Sequence, residues 1–515
     1  MIYSELVKSK DDLDIPVFLN GRTMHSKYDP LKEASSFGNE LNQDSKFTVI
    51  VGLGGGYHID HFADKYPDNF IVVVENSDED IAFLSEIECV KKISAYENVK
   101  IIAAKDIFET ILKNYLPQFY GGINILFNRA WHDANPEVSK KITDDINAAL
   151  KMCSRDYSVQ CHFGLIWQKN ILKNLKVLSE LRGKKIFIDA RKTAAVIAAG
   201  PSLDKTIDVL KKNRDSYYII ATDTAYSVIE SNGMTCDAVV SIDGQNISHK
   251  HFIGRNNSET VFVFDLQANG SAVNYVKNFT DNIIFTKSGH PFCEYASLNG
   301  VTEGKFLSLE SGAGTVTIAA ADFALKCGFS KIEVFGADFS YLFNKPYAKG
   351  TYLDCLYRMR EDKKTNAEKK FTNLIYRTPV RKIKSELMQI KNDVLDSYRE
   401  TFIEWIKNHG LKFDYTNLVY SICSENKKND CPFTFENPAF DYEKFLRVLG
   451  VNSAEIIEKL SGQESKTVTA AQIALNPDNL TVALLPLTAY LRANDKKLTF
   501  ISGIKLALSK ILEYT

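Results

Sequence analysis

Short apolar runs separated by amphipathic segments characterise the first part of the chain. Residues 46–53 form one such run, which leads into a group of glycines, and residues 70–74 form the next. Runs of four to eight apolar residues bounded by Gly or Asp are typical of strands that are buried on both faces, as in parallel sheets. The segment between the two runs has helical spacing. The beginning of the chain therefore predicts a β-α-β unit of a Rossmann-like fold.

A second series of apolar runs follows a predicted helical segment at residues 146–181. The strands predicted from this series lie at residues 194–199, 217–223, 238–243, 260–265 and 331–338. Before the last of these strands, apolar positions recur on one face of a predicted helix that stops at Gly328, because glycine commonly follows a helix C-terminus. From about residue 440 the apolar spacing is helical again.

The length of 515 residues is too great for one ordinary hydrophobic core, so several domains are expected. We predict a Rossmann-like domain at residues 1–150, a central domain at 151–430 and a helical domain at 431–515. The predicted fold class is α/β, with two Rossmann-like units that contain parallel strands and a helical C-terminal domain.

Composition narrows the classes of partner. The formal charge of −1 gives no reason to expect nucleic acid or an anionic membrane surface as a partner. No apolar run reaches the length of a membrane span, and the first residues lack the apolar core of a signal peptide. The nine cysteines are scattered without a Cys-x-x-Cys pair. Reduced thiols in a cytoplasmic protein are therefore expected.

A strand-to-helix turn at Gly200, Pro201 and Ser202 is the first candidate for binding chemistry. The apolar strand at residues 194–199 runs into the turn, and Ser202 can cap the helix that follows. Backbone N–H groups at a helix N-terminus attract anions, so the turn suits the phosphate of a nucleotide. A purely structural turn in an α/β domain has the same pattern, and both interpretations remain open at this point.

A second candidate cradle lies at Ser311 and Gly312. The segment 311–315 reads Ser-Gly-Ala-Gly-Thr and precedes the helix that stops at Gly328. Its glycines and hydroxyls supply flexible donors at a helix N-terminus. Two such turns in one sheet favour a nucleotide site over a structural turn.

Acidic residues end three of the predicted central strands, at Asp223, Asp243 and Asp265. Ligands of open parallel sheets bind beyond the carboxyl ends of the strands, where these side chains would gather. Asp is also a common turn residue. We interpret Asp223 and Asp243 as ligand-binding residues, and we leave both the binding role and the turn role open for Asp265.

The N-terminal unit contains a possible second nucleotide site. Gly52, Gly54 and Gly56 follow its first strand, and Glu75 ends the next strand at the spacing of an acidic residue that binds a ribose. A bare Rossmann scaffold explains the same residues, and Ile50 stands where such folds often carry an acidic residue. His58 and His61 have helical spacing, but surface histidines are favoured over metal ligands.

Several of these segments together resemble a known family. The segments 199–203, 311–315 and 325–339, with the tyrosines that follow, look like the core of bacterial CMP-sialic-acid sialyltransferases. Residues 20–30 and 167–174 add a closer likeness to motility-associated factor (Maf) flagellin glycosyltransferases. The resemblance covers roughly residues 15–350. It implies a sialyltransferase-like central domain.

The resemblance also implies roles for individual residues. It places the nucleotide sugar against five residues besides the turn proline: Gly200, Ser202, Asp223, Ser311 and Gly312. Asp223 stands where the sialyltransferases have an asparagine. Tyr341 and Tyr347 keep the spacing of two tyrosines that bind the leaving phosphate, with Tyr341 offset by one. The histidine base of the sialyltransferases has no counterpart, since only His409 follows Tyr347. Asp243 is our candidate for the base.

The function implied is transfer of a nonulosonic acid, such as pseudaminic or legionaminic acid, from its CMP donor to Ser or Thr of flagellin. Neither a metal nor another cofactor is expected to be required. Two alternatives remain. One is an ATP-dependent hydroxymethylpterin pyrophosphokinase with Mg²⁺ on Asp223, Asp243 and Asp338. The other is a non-catalytic flagellin-binding scaffold. The basic segment at 358–384 is either a lid, an acceptor-contacting arm or a solvated face.

Overall fold

The computed structural model describes residues 1–38, 41–42, 45–181, 183–312, 314–383, 388–424, 432–461 and 479–513. The chain groups into two compact units. The first comprises Met1–Leu165 and Ser453–Lys510, and the second comprises Ile166–Asn452 and Ile511–Thr515. The segment that was predicted as a third domain, 431–515, is thus divided between the two units.

The strands are numbered along the chain. They are β1 (Tyr3–Lys8), β2 (Asp14–Phe18), β3 (Phe47–Val51), β4 (Phe70–Glu75), β5 (Val99–Ala103), β6 (Ile123–Phe127), β7 (Lys185–Ile188), β8 (Thr193–Ile197), β9 (Tyr217–Thr222), β10 (Ala238–Ser241), β11 (Val261–Asp265), β12 (Ile283–Lys287), β13 (Val301–Glu303), β14 (Leu307–Ser308), β15 (Lys331–Phe335), β16 (Tyr341–Leu342), β17 (Arg381–Ile383), β18 (Gln389–Lys391), β19 (Lys412–Thr416), β20 (Val419–Cys423), β21 (Phe433–Glu436) and β22 (Ala439–Phe440).

The α-helices are α1 (Pro30–Ser35), α2 (Tyr57–Lys65), α3 (Asp78–Leu84), α4 (Glu88–Ser94), α5 (Ile107–Asn114), α6 (Pro117–Tyr120), α7 (Arg129–Ala134), α8 (Pro136–Ser179), α9 (Leu203–Lys212), α10 (Asp223–Ser231), α11 (Gly270–Lys277), α12 (Pro291–Gly300), α13 (Val316–Lys326), α14 (Tyr352–Met359), α15 (Ala367–Ile375), α16 (Asp393–Asn408), α17 (Tyr442–Ser461), α18 (Leu480–Ala483), α19 (Leu485–Asn494) and α20 (Phe500–Glu513).

The first unit contains a four-stranded parallel sheet in the order β5-β4-β3-β6. All five residues of β3 are buried, which explains why this strand is a continuous apolar run. A separate antiparallel pair, β1 and β2, precedes the sheet in the chain. The predicted N-terminal Rossmann-like unit is therefore confirmed.

The second unit is built on a nine-stranded sheet in the order β14-β12-β11-β10-β9-β8-β15-β20-β19. Seven of its strands are parallel, and β20 and β19 form an antiparallel edge. The chain moves outward from β8 through β9 to β14 and then returns to the other side of β8 as β15. The point between β8 and β15 is the topological switch point, where open α/β sheets bind their ligands.

Most predicted elements of the second unit are confirmed, but several of its strands were missed. The helix α13 ends at Lys326, and Gly328 follows it with φ of 85°, as expected for a stop. Strands β12 and β14 were not predicted, although residues 283–286 form an apolar run. Residues 341–391 add a small antiparallel sheet in the order β16-β18-β17.

The structure also shows the state of the cysteines and the lengths of the helices. The eight cysteines among the described residues are free thiols, and Cys431 lies outside these residues. Within the described ranges, no helix combines the length and apolarity that a membrane crossing requires.

Candidate active site

The carboxyl ends of β8 and β15 form the switch-point crevice, defined here as residues 198–202 and 336–338. Hydrogen bonds hold the two strand ends together, since the N–H of Ala198 donates to the carbonyl oxygen of Phe335 at 2.8 Å. The fold thus brings the predicted turn at residues 200–202 beside Asp338, which lies more than 130 positions later in the chain.

The turn at residues 200–202 uses its own backbone donors internally. The N–H of Gly200 donates to the carbonyl oxygen of Gly336 at 2.9 Å, and the N–H of Ser202 donates to Oδ2 of Asp338 at 2.8 Å. The next two N–H groups donate to carbonyls of the turn at 3.0 and 3.2 Å. Pro201 has no N–H group. The expectation that this turn points free N–H donors at an anion is therefore wrong.

Ser202 does not cap α9, contrary to the prediction. Its backbone is already helical, with φ of −62° and ψ of −22°, and its side chain accepts no hydrogen bond from the helix. A capping residue needs an extended backbone to place its side chain over the N–H groups. The hydroxyl of Ser202 is buried and has no hydrogen-bond partner in the part of the chain that the structure describes.

Gly200 and Asp338 are in close contact at the centre of the crevice. A Cβ atom at Gly200 would lie 2.4 Å from the carbonyl oxygen of Gly336 and 2.6 Å from Oδ2 of Asp338, so the turn requires glycine. Burial raises the pKa of the Asp338 carboxyl to about 6. Its Oδ1 has no hydrogen-bond partner among the described residues. Asp338 is therefore a polar group directed at the crevice.

The loop that carries the two predicted tyrosines is anchored to the crevice at several points. The N–H of Ala348 donates to the carbonyl oxygen of Ala199 at 2.8 Å. The carboxylate of Asp204, in the first turn of α9, accepts hydrogen bonds from the N–H of Lys349 at 2.9 Å and from Nζ of Lys345 at 3.4 Å. These bonds fix the loop over the N-terminus of α9.

Tyr341 and Tyr347 lie in this loop with available hydroxyl groups. Neither hydroxyl makes a hydrogen bond to another described residue, and the Tyr347 side chain is 38% exposed. Burial raises the pKa of Tyr347, and nearby groups add to the effect. These groups are Tyr341, Tyr398, Asp223 and Tyr357. Two of these groups, Tyr357 and Tyr398, were not predicted from the sequence.

Asp223 is buried at the beginning of α10, and protein groups use both of its oxygens. Oδ1 accepts from the N–H and the hydroxyl of Thr224, at 2.7 and 3.1 Å. Oδ2 accepts from the hydroxyls of Ser241 at 2.7 Å and Ser248 at 3.2 Å. These bonds link α10 to β10 and the segment after it. Contact between Asp223 and a nucleotide sugar stays a prediction.

Asp243 follows β10 and is only partly buried. Its Oδ1 accepts from the N–H of Gln245 at 2.9 Å. Burial raises the pKa of the Asp243 carboxyl, and the charge of Asp223 raises it further. Asp243 in turn raises the pKa of Tyr398, after the larger effect of burial. The role of Asp243 as the base stays a prediction.

The motif at residues 167–174 holds the loops beyond β10 and β11. The side-chain amide of Asn170 donates to the carbonyls of Gly244 at 3.0 Å and Gln267 at 3.1 Å. One helical turn later, Asn174 donates to two carbonyls of the loop after β11, at 2.9 and 2.8 Å. The helix α8 thereby fixes the loops that follow Asp243 and Asp265.

Asp265 and His290 are buried at neighbouring strand ends. Asp265 accepts hydrogen bonds on Oδ1 from the backbone and side chain of Gln267, at 2.8 and 3.2 Å. Nδ1 of His290 accepts from the N–H of Phe292 at 3.1 Å, so the neutral ring carries its proton on Nε2. Burial lowers the pKa of His290 to about 3. His290 was missed because β12, which it follows, was not predicted.

We expect Asp265→Asn to stabilise the protein increasingly as the pH rises. Burial raises the pKa of Asp265 from 3.8 to about 6, so the folded state holds this proton more tightly than the unfolded state. The stability that the proton contributes is complete below about pH 4 and is lost as the pH rises through about 6. The free energy of unfolding of the variant should exceed that of the wild type by about 2–3 kcal/mol at pH 7.5.

Urea unfolding of both proteins at pH 5 and pH 7.5 measures this difference. Asp215→Asn, at an exposed position, is the control and should change stability little at either pH. An Asp265→Asn advantage that does not grow between the two pH values would contradict the prediction.

The second predicted cradle, at Ser311 and Gly312, differs from the first. It lies between β14 and α13, and Thr315 provides no side-chain cap for that helix. The N–H groups of Ser311 and Gly312 make no hydrogen bond to any described residue. Gly312 has φ of 54°. This loop therefore keeps backbone donors available for an anion.

One cluster of side chains near this loop has ligand types suited to a metal ion. Atoms of Glu310, Asp322 and His409 lie within 4.8 Å of one another. Nδ1 of His409 donates to the carbonyl of Trp405 at 2.9 Å, and Nε2 lies 3.4 Å from Oε1 of Glu310. Asp322 is buried and already accepts from Lys326 at 2.7 Å and from the indole of Trp405 at 3.2 Å. An ion-pair network accounts for the cluster without a metal.

In the first unit, Glu75 is fully buried and accepts four hydrogen bonds from the protein. Oε2 accepts from the hydroxyl of Tyr3 at 3.1 Å and from the N–H of Leu53 at 3.0 Å. Oε1 accepts from the indole N–H of Trp131 at 2.6 Å and from the N–H of Asn76 at 2.8 Å. The carboxylate predicted to bind a ribose is therefore part of the internal structure.

The glycine loop before α2 is covered by protein side chains. A Cβ atom at Gly54 would lie 2.6 Å from Met24 and 2.7 Å from Nε2 of His25, and that nitrogen accepts from the N–H of Gly55 at 3.0 Å. Gly52 and Gly56 are buried too. Because these side chains cover the loop of Gly52, Gly54 and Gly56, the loop has no open space for a phosphate in this structure.

Of the two histidines that were expected at the surface after this loop, His58 contradicts the expectation. His58 is buried and donates from Nε2 to the carbonyl oxygen of Gly52 at 2.9 Å. Burial lowers the pKa of His58 to about 4, so the ring is neutral near neutral pH. His61 is partly exposed. His58 therefore supports the glycine loop from inside the protein. This role agrees neither with a surface histidine nor with a metal ligand.

Comparison with solved structures agrees with this architecture. The chain resembles the structure of a Maf glycosyltransferase from Magnetospirillum magneticum AMB-1, with a TM-score of 0.50 over 99% of this chain and 91% of the other, at 13% identity. At this identity the likeness concerns the fold. The chain has a Maf-type α/β fold, as its sequence predicted.

Sequence comparisons match parts of the chain. Residues 169–343 match the family described as 6-hydroxymethylpterin diphosphokinase MptE-like. An uncharacterized protein of Treponema pallidum (strain Nichols) is 34% identical over 146 residues, which is 28% of this chain and 70% of that protein. A second one is 37% identical over 149 residues, 28% of this chain and 51% of that protein. The chain belongs to the same family as the first of these Treponema proteins.

Proposed function

We propose that the protein is a glycosyltransferase that moves a nonulosonic acid from its CMP donor to Ser or Thr of flagellin in the cytoplasm. The observation that carries the proposal is the pair of unpaired tyrosine hydroxyls, Tyr341 and Tyr347, on a loop anchored to the switch-point crevice. The fold likeness to a Maf glycosyltransferase and the donors of Ser311 and Gly312 support it.

The proposed reaction requires Tyr341 and Tyr347 in their neutral, protonated form. As the bond between the anomeric carbon of the sugar and the phosphate oxygen breaks, its electron pair passes to the phosphate. Tyr341 and Tyr347 would donate hydrogen bonds to the charge that develops there. The raised pKa of Tyr347 keeps its hydroxyl protonated, and therefore a donor, throughout the neutral range.

The acceptor side of the reaction needs a base. The oxygen of the acceptor hydroxyl attacks the anomeric carbon and loses its proton in the same step. Asp243 is the candidate to accept this proton, because it is only partly buried and its raised pKa makes it a stronger base than an ordinary aspartate. The product would be a glycosidic bond to the acceptor, with CMP as the leaving group.

We expect purified protein, incubated with a CMP-nonulosonate and flagellin, to increase the intact mass of flagellin by one or more sugar residues. Intact-mass spectrometry measures the increase, and a reaction without the donor is the control. Flagellin of unchanged mass, with folded enzyme and a glycosyltransferase that is active on the same donor as positive control, would refute the proposed activity.

A second candidate function rests on the family match at residues 169–343, which is described as 6-hydroxymethylpterin diphosphokinase MptE-like. Transfer of diphosphate from ATP would need Mg²⁺, for which Asp223, Asp243 and Asp338 would be the oxygen ligands at the strand ends. Thermal-shift measurements distinguish the two functions. Stabilisation by CMP without metal supports the glycosyltransferase, and stabilisation by ATP with Mg²⁺ supports the kinase.

A further inference from the structure

An insert between the tyrosine loop and α16 forms a distinct surface next to the candidate site. We define the insert as residues 352–383 and 388–392, which contain α14, α15, β17 and β18. Its sheet is continuous with the site, because β18 pairs with β16, the strand that contains Tyr341. Tyr357 of α14 also contributes to the raised pKa of Tyr347. Whatever binds to the insert is therefore brought close to the tyrosines.

The insert is strongly basic in a chain whose formal charge is −1. The insert contains ten Lys and Arg against four Asp and Glu. Most of the acidic groups are engaged locally: Asp354 binds Arg358 at 3.0 Å, and Asp362 accepts from two backbone N–H groups of its own turn. Six exposed cations form no ion pair with a described residue: Arg360, Lys363, Lys364, Lys369, Arg377 and Lys382.

An apolar cleft lies within this basic surface. Its volume is about 240 Å³, and its walls include Ile375, Tyr376, Ile383 and Met388. Tyr376, Ile383 and Met388 are 46%, 40% and 61% exposed, respectively, which is unusual for neighbouring large apolar side chains. Asn344, from the tyrosine loop, also lines the cleft. The cleft can hold one large apolar side chain beside the candidate site.

The unpaired cations and the cleft of the insert favour one kind of binding partner. A surface that combines unpaired cations with an apolar cleft is complementary to an acidic polypeptide that carries an apolar anchor residue. A single-stranded nucleic acid would need a series of aromatic stacking platforms, whereas this cleft presents one aromatic side chain, that of Tyr376. We propose that the insert is the docking surface for the protein acceptor and binds an acidic segment of it, with an apolar side chain in the cleft. This inference rests on the proposed function.

Charge reversal at the rim of the cleft tests the proposal. We expect Arg377→Glu combined with Lys382→Glu to raise the KM for flagellin at least about tenfold, which corresponds to about 1.4 kcal/mol of binding free energy. Release of CMP from the donor into water, without flagellin, should stay within about twofold of the wild type. Raising the salt concentration should weaken flagellin binding to the wild type more than binding to the variant.

Lys212→Glu combined with Lys305→Glu is the matched control. Both lysines are exposed, lie in the same unit but outside the insert, and give the same change in net charge. The control should keep the wild-type KM. Equal KM values for the two double variants would overturn the docking proposal.

Direct binding separates this proposal from the proposed activity. Fluorescence anisotropy of labelled flagellin and of labelled single-stranded DNA, each titrated with wild type and variants, measures binding without catalysis. Salt-sensitive flagellin binding that the insert variant loses supports the docking surface even if no sugar is transferred. Absence of flagellin binding to the wild type, or binding of DNA in its place, would refute the docking surface. Absence of both CMP release and transfer, with binding intact, would refute only the activity.

Discussion

Replacing Tyr347 with Phe is expected to lower the turnover of sugar transfer by about 10²–10³-fold, the usual effect of losing one donor to a developing negative charge. The substitution removes only the hydroxyl, which has no hydrogen-bond partner among the described residues, and keeps the ring. Affinity for CMP should fall much less than turnover, because the hydrogen bond strengthens as charge builds on the phosphate.

Steady-state kinetics and calorimetric CMP titration of the purified variant measure the two effects. Tyr28→Phe is the matched control, since this tyrosine is 79% exposed and lies in the first unit. It should keep the wild-type turnover and CMP affinity. A Tyr347→Phe variant that turns over at the wild-type rate would show that the leaving phosphate does not contact this hydroxyl.

Replacing Glu75 with Ala is expected to reduce the free energy of unfolding by about 3–5 kcal/mol, as when one partner of a buried charged network is removed. Four donors would be left without their acceptor: the buried donors of Tyr3, Leu53 and Trp131, and the partly buried N–H of Asn76. Each unpaired buried donor costs free energy because it has also lost its hydrogen bond to water.

Denaturant unfolding, followed by the fluorescence of Trp131 and the other tryptophans, measures the loss. Glu79→Ala, four residues later on an exposed face of α3, is the control and should change stability little. The experiment also tests the alternative role of Glu75. If the carboxylate binds a ribose, the variant should keep its stability and lose affinity for a nucleotide.

The apolar runs of the sequence correctly predicted two of the four strands in the sheet of the first unit and five of the nine strands in the large sheet of the second unit. Residues 46–53 and 70–74 became β3 and β4, because strands covered on both faces must be apolar at successive positions. The acidic residues that follow such runs were correctly placed at strand ends for the same reason. Short strands such as β14, with two residues, carry too little periodicity to be recognised.

The candidate site was only partly predictable. Tyr341 and Tyr347 were identified from their position after a strand, and their role in binding the leaving phosphate stays a prediction. Tyr398 was not found, because it lies on α16, where no local pattern distinguishes it from other helical tyrosines. His290 became identifiable only once β12 was known.

By itself the sequence determined the α/β class, the strands that end at acidic residues and the glycine turns. These features depend on burial and turn geometry, which involve residues close together in the chain. Only the tertiary structure decided which of these groups are available to a ligand. The N–H of Ser202 donates to the carboxylate of Asp338 and is therefore not free for a ligand. The carboxylate of Glu75 accepts from Tyr3 and Trp131, which lie 72 and 56 positions away in the sequence. Hydrogen bonds between such distant residues follow from how the chain packs, and local periodicity carries no information about them.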